Sequence, residues 1–135
     1  MESGYVSFGD KVFETLLAIS QEEQEKGLMH QAWPPPIMSF VYPIAKVSQF
    51  WMKNTPSPLD IVFCHKGKVS QICKGEPYST TVIGANEPSD LVVEFPYGTV
   101  IQSNIKLGQD VSLVKPTKEE LKKIFAQKCH IIYKI

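Results

Sequence analysis

Glycine and proline interrupt this chain so often that few long regular elements fit between them. Gly67, Pro77, Gly84, Pro88, Gly98 and Gly108 fall between short β-branched and aromatic stretches. Breakers at that spacing punctuate strands. Strands are predicted at Lys11–Ala18, Met38–Tyr42, Phe50–Lys53, Ile61–Cys64, Val69–Lys74, Leu91–Phe95 and Val111–Val114. The run Trp33-Pro34-Pro35-Pro36 cannot donate a backbone hydrogen bond at three successive positions, so it reads as an extended connection. Ser20 and Glu23 stand at capping-box spacing and Gly27 stands where a C-cap belongs, which predicts one short helix after the first strand. Many short strands divided by turns imply a mainly β fold, a compact barrel or a jelly-roll-like sandwich.

At 135 residues the chain suits one core. Fourteen Lys plus Arg balance fourteen Asp plus Glu, so no global field draws the chain to a phosphate backbone, and nucleic acid is not an expected partner. The apolar runs are far shorter than the ~20 residues a membrane helix needs. Met1-Glu2-Ser3-Gly4 has neither a basic start nor an apolar signal core, so the expected location is the cytoplasm. Three cysteines, Cys64, Cys73 and Cys129, leave one without a partner and suit a reducing compartment. With Lys66-Gly67 as a hairpin turn, Cys64 faces Val69 and Cys73 faces Asp60, out of register for a disulfide. A zinc site at Cys64, His65 and Cys73 lacks ligand spacing, and no metal or cofactor is implied.

The densest chemistry lies in Phe50 to Asp60, FWMKNTPSPLD. Strand alternation puts Phe50 and Met52 on one face and Trp51 and Lys53 on the other. One reading is a binding lip: Trp51 offers a flat apolar surface, Lys53 and Asn54 offer donors, and Asp60 offers an acceptor to a small polar ligand or a protein partner. The other is a structural corner in which Trp51 packs beneath the proline loop, Lys53 reaches solvent, and Asn54 and Asp60 bond backbone amides. Glu14 and Glu94 would form a glycosidase-like carboxylate pair if their strands were neighbours, but both sit at outward positions and read as solvated. His30, His65 and His130 have no nucleophile context. Met29 and Met38 are expected to fill the barrel end. The expected core is Phe13, Leu16, Phe50, Met52, Ile61, Phe63, Val92 and Val111.

Four blocks carry a resemblance: EEQEKGLM at 22–29, FWMKNTPSPLDIVF at 50–63, LVVEFPYGT at 91–99 and NIKLGQDV at 104–111. With these the chain resembles the family called domain of unknown function 192 over roughly Val12 to Val114. The resemblance implies a mostly β barrel or jelly-roll-like domain with a short helix after the first strand, and no assigned activity. The chain departs from the family pattern at Gln31, where an arginine is usual, and at Ile37, where a glycine is usual. Some relatives belong to tailed phages, a setting that would place the chain in a virion.

The domain is thus expected at residues 1–115, with an extension at 116–135. Thr117 and Glu120 have capping-box spacing, and Leu121, Ile124, Phe125 and Lys128 recur at helical intervals. His130 to Ile135 reads as a closing strand, and the extension offers a route to a homo-oligomer. Three function classes stay open: a non-catalytic β module binding at Trp51, Lys53, Asn54 and Asp60, an assembly accessory protein such as a virion-surface component, and a hydrolase using a carboxylate pair.

Overall fold

A computed structural model describes residues 1–84 and 86–114 and the backbone of a strand at 130–132. The elements run β1 (Glu2–Phe8), β2 (Lys11–Ala18), α1 (Gln21–Lys26), β3 (Met38–Lys46), β4 (Gln49–Phe50), β5 (Leu59–His65), β6 (Lys68–Gly75), β7 (Ile83–Gly84), β8 (Ser89–Pro96), α2 (Thr99–Gln102), β9 (Val111–Val114) and β10 (His130–Ile132). One curled sheet has the order β6-β5-β8-β3-β2-β1-β9, with β10 pairing parallel to β2 at Lys11–Phe13. Its two ends meet. Val69 N–H donates to the Gln109 carbonyl at 3.0 Å, Val111 N–H donates to the Gly67 carbonyl at 2.8 Å, and Lys68 pairs with Asp110. The architecture is therefore barrel-like rather than a two-sheet sandwich.

Alternation along each strand divides the apolar residues between two faces. Val6, Phe8, Phe13, Val62, Val93, Phe95 and Val111 point inward and build the barrel core. Within it Phe8, Phe13 and Phe95 meet edge to face with centroids 5.1–6.1 Å apart. The outward face is also apolar. Ala18, Met38, Phe40, Leu59, Ile61, Phe63 and Val92 form a second cluster with Leu28 and Met52. Strands apolar on both faces must be covered on both. Here α1, the segment from Val47 to Pro58 and the small β4–β7 sheet supply the outer cover.

The structure alters several expectations. A strand at Glu2–Phe8 precedes the first one read from the sequence, and a short helix α2 follows β8. The expected strand Phe50–Lys53 is only Gln49–Phe50, because a turn closes at Met52–Thr55 with Asn54 left-handed at φ 56. A bulge between Phe63 and Cys64 keeps Cys64 opposite Val69 but places Cys73 opposite Ile61 rather than Asp60. Leu16 and Phe50 are half-buried rather than buried, and the eight expected core residues split between the two clusters. Met29 and Met38 lie on the outer side, not in a barrel end. The helix expected after Thr117 lies outside the described residues.

Candidate functional site

The cover does not seal. Between α1, β3, the segment from Val47 to Met52 and the outward face of β8 lies an open pocket of about 840 Å³. Its position follows from local sequence. Ser20 caps α1, its hydroxyl accepting from Glu23 N–H while the Glu23 carboxylate accepts from Ser20 N–H, both at 3.1 Å. Gln24 Nε2 then ties the helix to the sheet by donating to the carbonyls of Ala18 at 3.0 Å and Val41 at 3.1 Å. Gly27 ends the helix at φ 50, where its N–H donates to the Glu23 carbonyl. The left-handed backbone favours glycine there, and a side chain would reach into the pocket. A Cβ on Gly27 would stand 3.4 Å from Phe40 Cζ and 3.9 Å from Glu94 Oε1.

Apolar walls come from Leu28, Met29, Phe40, Phe50, Met52 and Leu59, with Trp51 on the rim and half exposed. Phe50 packs edge to face against Phe40 and Phe63, with centroids 5.1 and 5.7 Å apart. Glu94 is the exception. It lines this pocket, is 4% exposed, and its carboxyl has no hydrogen-bond or ion-pair partner among the described residues. Burial alone pushes its pKa up to about 8. Tyr42 beside it is raised as well, first by burial and further by the Glu94 charge, against a hydrogen bond with Ser48.

The expectation of a solvated Glu94 therefore fails. The side chain does point away from the barrel interior, but that face carries a second layer. The Glu14–Glu94 pair does not form either: β3 separates their strands, Glu14 is exposed and Glu94 is buried. Glu94 as a site residue was missed because alternation gives a face and not its cover.

The structure separates the four residues expected to bind, Trp51, Lys53, Asn54 and Asp60. Trp51 is at the pocket mouth, with Lys53 Nζ 5.2 Å from its ring centroid and itself exposed. Asn54 holds the turn, its carbonyl accepting from His30 N–H at 2.7 Å. Asp60 points to the opposite side of β5, where its Oδ2 accepts from Gly98 N–H and Val100 N–H, both at 3.0 Å. Burial raises its pKa, while those two amides and Lys74 oppose the rise.

Cys64 and Cys73 are free and project to opposite faces of the hairpin. Burial, with Asp90 nearby, raises Cys64 to about 12, which makes it an inert thiol. Among the described residues no group of three His, Cys, Asp or Glu is placed to hold a metal ion. No described helix is long and apolar enough to cross a membrane.

Fold and site together define a small β-barrel domain that carries its cleft outside the barrel, beneath a capped two-turn helix. The chain belongs to the family domain of unknown function 192, described as an uncharacterized ACR, whose model matches residues 5–113. Two solved structures share the fold. A protein of unknown function from Novosphingobium aromaticivorans DSM 12444 is 32% identical, with a TM-score of 0.73 over 82% of this chain and 83% of that one. A protein from Sinorhizobium meliloti 1021, described as a candidate transcription regulator, is 27% identical, with a TM-score of 0.77 over 83% of this chain and 94% of that one. No curated protein matches the chain.

Proposed function

We propose that this chain is a non-catalytic binding module whose small-molecule ligand enters the pocket between α1 and the outward face of the barrel. The observation that carries the reading is Glu94. Its carboxyl is nearly enclosed, opens to the pocket and meets no partner among the described residues, an arrangement suited to something the folded chain does not supply. Three of the four blocks that mark the family converge on this pocket: Gly27 to Met29, Phe50 to Met52, and Glu94. Trp51 belongs to the binding surface as its outer lip. Asn54 shapes the corner that holds the lip and Lys53 backs the Trp51 ring, while Asp60 acts on the far side of β5 at the α2 turn.

A hydrolase is less well supported, because the other carboxylate lining the pocket, Glu25, is exposed on α1 and accepts from Gln21 Nε2 at 3.0 Å. Equal numbers of acidic and basic residues likewise favour a small ligand over nucleic acid. The decisive experiment is the thermal stability of Glu94→Met. A binding carboxyl is retained at the expense of stability, so filling its place with an apolar side chain should raise Tm by several degrees near pH 8. A fall in Tm would mean that Glu94 serves the fold, and the pocket reading would be abandoned.

A further inference from the structure

We infer that the pocket takes a small organic cation with an apolar body, an amine, amidine or guanidine whose charged head pairs with Glu94 while its body lies against Phe40, Phe50 and Trp51. This inference rests on the pocket reading above and names the ligand class. The carboxyl is the most deeply buried ionisable group lining the pocket, ahead of Tyr42, and no described residue donates a hydrogen bond to it. An ammonium or amidinium head supplies the missing donors and an opposite charge together, and an amidinium does so with two parallel N–H bonds. The rim already holds cations on aromatic faces. Lys46 Nζ lies 4.9 Å from the Tyr42 ring centroid and Lys53 Nζ 5.2 Å from that of Trp51.

The rim of the pocket carries more lysine than carboxylate, so the charge that pairs with the cation has to come from Glu94. Helix α1 contributes Glu25 and Lys26, β3 contributes Tyr42 and Lys46, and the segment after β3 contributes Lys53. Both β3 and β5 face Glu94 across the sheet with apolar residues, Met38 and Ile61. None of the lysines perturbs Glu94, whose shift has burial as its sole cause. The free protein near neutral pH therefore holds mostly a protonated carboxyl. Cation binding releases that proton to solvent and leaves a carboxylate paired with the ligand.

Three probes of one shape isolate the charge: benzamidinium, benzamide and benzoate. Titrated into the intact chain and followed by amide shifts of Gly27 and Phe50, benzamidinium should bind at least tenfold more tightly than benzamide, and benzoate more weakly than either. Because the amidinium keeps its charge over the range, its affinity should rise up to tenfold per pH unit and level off near pH 8. Glu94→Gln should abolish both the preference and the pH dependence. If that variant does not fold, the wild-type pH series decides alone. Equal or tighter binding of benzamide or benzoate at these amides would overturn the cation inference and leave the pocket reading standing. Failure of all three probes to move the amides would overturn both.

Discussion

At the scale of single residues, the stretch Phe50 to Asp60 holds side chains with different duties although they are neighbours in sequence. Asp60 fastens the turn after β8, because its carboxylate satisfies two amides at the start of α2. Asp60→Ala leaves both donors unpaired and should cost about 1–3 kcal/mol, measured by urea unfolding. Trp51 is 48% exposed, so Trp51→Ala should cost less than the ~3–5 kcal/mol of a fully buried aromatic. Lys53→Ala, at an exposed position, should stay within about 0.5 kcal/mol of wild type. A loss at Trp51 equal to that of a core aromatic would show the residue to be a structural post and not a lip.

At the scale of elements, the helix was legible because its determinants are local. Ser20, Glu23 and Gly27 act within a few residues, so spacing alone announces the cap and the stop. The short β4 was overread because Trp51 and Met52 have strand propensity, while the turn through Asn54 is set by contacts with His30 and Ser79. Strand β1 was missed because Glu2, Ser3, Gly4 and Ser7 dilute its pattern; its place comes from pairing with β2 and β9. That pairing is tight at Gly4, where a Cβ would stand 2.7 Å from the Val114 carbonyl oxygen. Gly4→Ala should therefore push β9 away and destabilise by about 1–3 kcal/mol, with amide exchange speeding up first at Val111–Val114. Unchanged exchange there would show that the edge adjusts freely.

At the scale of the whole molecule, Glu94 sets a pH dependence opposite to that of most paired carboxylates. Its folded pKa, about 8, lies above its ordinary value of 4.5, so the folded state binds the extra proton. Stability is thus full below pH ~4.5 and is lost as pH rises towards 8, by at most about 1.4 kcal/mol per unit. Asp60 is raised too and acts in the same direction at lower pH. Tm should fall between pH 5 and 8, each kcal/mol counting for about 2–8 °C, and Glu94→Gln should flatten the profile. A wild-type Tm that is level or rises over this range would place a counter-charge or water network on Glu94.

The sequence by itself determined the class of fold, the capped helix, most strand positions and the family, because breakers, caps and alternation act over a few residues. It also pointed to Phe50–Asp60 as the segment where chemistry gathers. Which of those side chains meet was decided by tertiary structure. Alternation says that Asp60 and Ile61 face opposite ways, but only the sheet order places one on the α2 turn and the other beneath a pocket. The same holds for Glu94. An outward position on a strand means solvent when nothing lies above it, and a buried carboxyl when a second layer does. Residues far apart in sequence, Gly27 at the end of α1 and Phe40 on β3, line one pocket with that carboxyl, and no local pattern records a meeting of that range.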